Sequence, residues 1–246
     1  MNHWKNAYAF VRLELQHSLM TFVVMVLCLF VIFSMLMLNL NSVNLYDKMA
    51  SMGFYDFIFF VSFTCLPIWM TAREFSSGQK GKNGTEAAPG VVLLMHLPVK
   101  RDIISKSRIL SYIIRSYPFL IIIMLMIYIT NSPIREEMPP FTYLVFCIIW
   151  LAFALYGGGM VLTADFTSSG MTIVNLIVGM VIAVLSIAIF YSAFLFFTDV
   201  GIVYATVAAA RNFPIISVLA SIILAATGLH YIHKYNIKLM KKNDYL

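Results

Sequence analysis

The sequence predicts an all-α integral membrane protein with six transmembrane helices, and three observations carry that reading. Of the 246 residues, 61% are hydrophobic and only 11% are charged, against about 25% charged in an ordinary soluble domain. Mean hydropathy is +0.87. So few polar residues cannot cover a water-soluble globule, which excludes a soluble enzyme, a disordered chain and a disulfide-stapled module. Second, the apolar residues fall into six continuous runs, each near the roughly 20 residues that cross about 30 Å of hydrocarbon. The runs do not alternate, which argues against lipid-spanning strands. Third, the seventeen Lys and Arg residues are spread very unevenly over the connections.

The elements follow in order. Residues 1–17 place Trp4, Tyr8, Val11 and Leu15 at helical spacing on one face, with Lys5, Arg12 and Glu14 in other directions. Amphipathic helices with aromatic anchors lie on membrane surfaces, so this stretch is read as an interfacial helix. The spans are 18–38, 54–72, 109–130, 141–163, 171–197 and 213–233. The first run is too long for a cleaved leader, and no small-x-small site follows it. The fifth run has 27 residues, about 40 Å as helix. Residues 198–212 after it stay apolar, too short to span and too apolar for a free loop. They are expected to form an outer, re-entrant helix between the fifth and sixth spans, and 234–246 a basic tail.

Thirteen basic residues fall in the N-terminus, the connections 73–108 and 164–170, and the tail; three, Lys48, Arg135 and Arg211, fall on the other side. Arg115 lies inside the third span near its basic end, where it can snorkel. Positive charge marks the cytoplasmic side, so both termini are expected there. The net charge of +6 is then a topology signal suited to anionic inner-leaflet lipid, with no nucleic-acid partner.

The spans carry little chemistry. Asp56 lies near the outer end of the second, and His230 and His233 near the inner end of the sixth. Ion-coupled transport usually needs carboxylates at mid-depth, and none is found. No His-Glu-x-x-His, Gly-x-Ser-x-Gly or paired carboxylates point to hydrolysis. Cys28, Cys65 and Cys147 are isolated, which gives no metal set. Gly157-Gly158-Gly159 reads as close helix packing. Gly81-Lys82-Asn83 is not a phosphate loop, because the first Gly and the Ser or Thr are missing and no strand precedes it. The chain is therefore expected to be non-catalytic and to hold no cofactor.

The informative segment is the connection 73–108. It opens polar and Gly-rich, then turns apolar at Val91, Val92, Leu93, Leu94, Met95, His96 and Leu97. Pro98 disfavours helix at Leu97 and can start a new one. Asp102 and Lys106 form an i,i+4 pair with the acid first, the favourable order. An apolar patch too short to span needs a partner, either the bilayer surface or a protein.

Leu93–Ile104 resembles the Leu-Pro-(Val/Ile)-x-Arg-x-x-(Ile/Val) segment between the second and third spans of ABC-2 type permeases. These are the membrane subunits of one class of bacterial ATP-binding-cassette exporters. The layout of interfacial helix, six spans, long second connection, outer re-entrant segment and basic tail resembles them too. The resemblance implies a coupling helix at Val91–Leu97, ended by Pro98, that docks on a separate ATPase with Lys100 and Arg101 at the rim. Ala87-Ala88-Pro89-Gly90 departs from the common pattern and shortens that helix. It also implies two ATPase subunits holding ATP and Mg, and a second permease subunit, an identical chain. The path would be lined by the first, second and fifth spans, in the bacterial plasma membrane. Within the family the chain looks like the short permeases of peptide exporters, which implies amphipathic peptide cargo; sixteen Met and twenty Phe suit varied apolar surfaces. The alternatives are a membrane-embedded immunity or receptor protein and an intramembrane enzyme.

Overall fold

The structure, a computed structural model, describes residues 3–16, 56, 59, 60, 63, 79–80, 86–87, 98–162, 191, 192, 194, 196 and 200–242. These comprise six helices: α1 (His3–Gln16), α2 (Arg101–Thr130), α3 (Ser132–Glu137), α4 (Pro140–Leu162), α5 (Ile202–Asn212) and α6 (Pro214–Lys242). Within the connection 73–108, which the sequence reads as flexible at its start, Gln79–Lys80 (β1) and Glu86–Ala87 (β2) form a short antiparallel pair. The expected first span, most of the second and fifth, and Val91–Leu97 lie outside the described residues.

Three helices, α2, α4 and α6, are long and apolar enough to cross a membrane. Their starts are set by local chemistry. Proline opens α4 and α6, where its missing N–H costs nothing and its fixed φ suits the first turn. The helix of the third expected span begins eight residues before that span, at Arg101. Lys100 in extended conformation precedes it, and Asp102 sits in the first turn, where a carboxylate complements the helix dipole. The turn after α2 is capped by Asn131, whose Oδ1 accepts from the Ile134 amide at 3.1 Å. Burial lifts the Glu137 carboxyl at the end of α3 above the usual range, and neighbouring Glu136 adds to this. Acid therefore favours this turn.

Tyrosines fix the helix register. Tyr112, Tyr117 and Tyr143 donate to the carbonyls of Ala154, Leu151 and Met124, at 2.5, 2.6 and 2.6 Å. As the α2 number rises the α4 number falls, so the two helices are antiparallel. Helix α6 also runs against α2, with Ser105 on His233 and Ile109–Tyr112 packed against Leu229. Helices α4 and α6 are thus parallel. Leu162 and Pro214 therefore lie at opposite ends of the bundle.

The main core joins Phe59, Phe63, Phe146 and Trp150 to Leu120, Ile123, Ile127, Val203 and Val207. Helices α4 and α6 approach closely at Gly228, where an added Cβ would stand 2.6 Å from the Tyr156 Cβ. Helix α4 continues unbroken through Gly157-Gly158-Gly159. In its most apolar stretch α6 is only 11% buried, against 33% for α2 and 39% for α4, which puts α6 at the rim. Arg115 is buried rather than snorkelling, on the α2 face that also buries Ser105, Arg108 and Ser111. That face turns into the protein, where charged groups in membrane helices are normally found.

Helix α1 corrects one sequence expectation. Val11 turns inward with Ala7, both fully buried, whereas Trp4 and Tyr8 remain more than half exposed. The small Ala7 side chain lets α1 lie close against α2, and the aromatics sit at the edge of the contact.

Candidate functional site

Two polar clasps hold the described helices, and each joins residues more than a hundred positions apart. The first is built on Asp56. Its Oδ2 accepts from the Ile202 amide at 2.7 Å and from the Tyr191 hydroxyl at 2.9 Å, and its Oδ1 accepts from the Val203 amide at 2.7 Å. These are the first amides of α5, which have no partner within their own helix. The N-cap residue of α5 is Gly201, which has no side chain to bond them. Asp56 supplies the missing cap from another segment, and its negative charge suits the positive helix end. A Cβ at 201 would stand 2.6 Å from Asp56 Oδ2, so any other residue there must displace the capping carboxylate.

The second clasp lies at the Arg101 end of α2. Asp102 Oδ2 accepts from Lys106 Nζ at 2.7 Å, and its Oδ1 is 3.0 Å from His233 Nε2 on α6. Ser105 Oγ is 2.9 Å from His233 Nδ1. An ionised carboxylate only accepts, so Nε2 carries a hydrogen and, in the neutral ring, Nδ1 accepts from Ser105. Lys106 also sits 5.5 Å from the centre of the Trp4 ring, a cation–π distance. The clasp therefore ties α1, α2 and α6 together.

The order Ser105–His233–Asp102 is that of a hydrolase triad. Ser105, however, has no exposed surface, and it faces Nδ1 rather than Nε2 of the ring. The arrangement acts as a tether. A double-mutant cycle on His233→Ala and Asp102→Ala should return a coupling of about 0.5–2 kcal/mol in thermal stability, a usual range for contacting polar pairs. Strictly additive effects would remove the tether.

Of the expected ATPase-docking residues, the structure describes Pro98, Lys100 and Arg101. All three are exposed. Between them Val99 packs against Ile104 and Met240, with Ile237 and Leu239 beside it. The chain leaving Val91–Leu97 is therefore gripped at once by the first turn of α2 and the last turns of α6. Sequence reasoning found the Asp102–Lys106 pair but missed His233 as its partner, since no local spacing joins positions 102 and 233. Among the described residues, no group of three His, Cys, Asp or Glu could hold a metal ion. Comparisons of the chain with protein-family models, curated proteins and solved structures find no match.

Proposed function

We propose that the chain is the permease subunit of an ATP-driven bacterial exporter. It would act as a pair of identical chains over two ATPase subunits that bind ATP and Mg, and move amphipathic peptides out across the plasma membrane. The termini and the connection 73–108 would be cytoplasmic, and α5 the outer re-entrant helix. The Trp150–Thr206 bond of 3.2 Å supports that placement of α5. It reaches ten residues into α4, roughly 15 Å from the start of that helix.

One observation carries the reading: the segment after the apolar docking run is seated on both α2 and α6. A push on Val91–Leu97 would pass through Val99 into Ile104 and Met240, and through Asp102 into His233. Two long helices would then move together. Rigid helices joined at a common end are the kind of element that converts a local contact into a global tilt.

The test is coexpression with candidate ATP-binding-cassette ATPases of the source organism. Copurification, and ATP hydrolysis in the reconstituted complex that rises with an amphipathic helical peptide, is the expected result. Because an ATPase reaches only the cytoplasmic face, the same complex tests orientation. A chain that purifies alone and leaves hydrolysis unchanged would favour the immunity or receptor reading.

A further inference from the structure

A cleft of about 230 Å³ lies between α4, α5 and α6, with Phe60 at its side. We propose that it binds one hydrocarbon chain of a bilayer lipid. The inference requires the protein to sit in a bilayer and does not depend on the transport reading.

The lining sets the chemistry. Trp150, Phe153 and Tyr156 form an aromatic wall along α4, and among the described residues no charged side chain lines the cleft. Trp150 Nε1 donates to Thr206 Oγ1, and that hydroxyl donates to the Val203 carbonyl at 2.7 Å. These polar atoms are already satisfied by one another, which leaves the Tyr156 and Ser221 hydroxyls as the other polar groups of a mainly apolar lining. An apolar cavity of about 150 Å³ stays dry and accepts benzene; this one takes several methylenes.

The shape sets the source. Tyr156, which lines the cleft, also packs against Gly228 of α6. Leu224 borders it and is 57% exposed, and its neighbours Ile222 and Ile223 are similarly open. The cleft thus reaches an apolar face of a rim helix that is long enough to span a membrane. What bathes such a face is hydrocarbon. A chain entering beside Leu224 would lie against the aromatic wall and touch Ile202, whose amide Asp56 holds. Occupancy would therefore bear on the seat of α5.

Trp150 is itself the probe, since it is 3% exposed and lines the cleft. In a Trp4→Phe, Trp69→Phe background it is the sole tryptophan. Reconstitution into phosphatidylcholine with dibrominated acyl chains should quench it strongly relative to unbrominated lipid. Ser221→Phe fills the cleft and should relieve most of that quenching. Ala152→Leu does the same from α4 and serves if the first variant does not fold. Quenching that is absent, or equal in filled and unfilled variants of wild-type thermal stability, would overturn the site. So would emission that ignores brominated lipid yet shifts with a Phe-bearing amphipathic peptide, which would assign the cleft to a peptide side chain.

Discussion

Asp56→Ala is expected to destabilise the protein by about 3 kcal/mol or more, because two amides and a phenol each lose a charged acceptor in a buried site. The residue is 4% exposed, so water cannot replace it freely. For a chain of this size such a loss lowers Tm by roughly 6–12 °C. Asp56→Asn should be nearly as costly. Its amide nitrogen must face a donor, Ile202 N–H or Val203 N–H, whichever oxygen it replaces. Tyr191→Phe removes one neutral donor and should cost about 1 kcal/mol. Gly201→Ala acts on the same contact from the other side, by pushing Oδ2 away. Its effect should therefore not add to that of Asp56→Asn. Thermal unfolding in detergent, read by static light scattering or near-UV dichroism, gives the ranking. An Asp56→Asn variant melting within a degree of wild type would remove Asp56 as the cap of α5.

The clasps explain which parts of this structure could be read from the sequence. Helix α4 was legible almost to the residue, as 141–163 against Pro140–Leu162, because an apolar run bounded by proline carries its own length and start. Helix α6 was legible to within one residue at its start, 213 against Pro214, but not at its end. The sequence reading stops the span at His233, where polar residues resume, while the helix continues to Lys242. Hydrophobicity reports where lipid ends and is silent on where backbone bonding ends. At the other terminus of helix α2 the start was legible, because Pro98 and the Asp102–Lys106 pair mark a helix that begins ahead of the apolar run, as Arg101–Arg108 do.

The functional chemistry was less legible. Asp56 could be placed near one end of a span, but nothing in its neighbourhood names Ile202 or Val203. A cap supplied from 146 residues away leaves only one local trace, a glycine where a capping Ser or Asp would ordinarily stand. Gly201 was that trace. The Ser105–His233–Asp102 tether had none. On α1, helical spacing grouped Trp4, Tyr8 and Val11, yet packing divided them, because the small Ala7 rather than an aromatic decided which side could approach α2.

Leu94→Asp together with Leu97→Asp is expected to abolish ATPase docking while leaving the permease folded and inserted. The motive is the apolar run Val91–Leu97, the segment whose resemblance implies an ATPase contact, and the seating of Val99 directly after it on Ile104 and Met240. In a docked interface each leucine would sit in an apolar pocket of the partner. A carboxylate there loses its water without gaining a partner, and truncation of central interface residues alone costs about 2 kcal/mol or more each. Two such losses weaken binding by roughly 10³-fold, at tenfold per 1.4 kcal/mol. That is enough to remove the ATPase from a pull-down. Insertion should be untouched, since Val91–Leu97 is too short to span and lies outside every expected span. Lys100→Ser is the internal control. It changes an exposed rim charge, worth about 1 kcal/mol or less, and should reduce recovery only slightly. The measurement is the yield of ATPase copurified with tagged permease, alongside the permease's own size-exclusion profile. A double variant that recovers ATPase at the wild-type yield would place the docking surface elsewhere. A variant that loses ATPase but keeps its profile would place it on this connection, with Val99 as the residue that passes the load to α2 and α6.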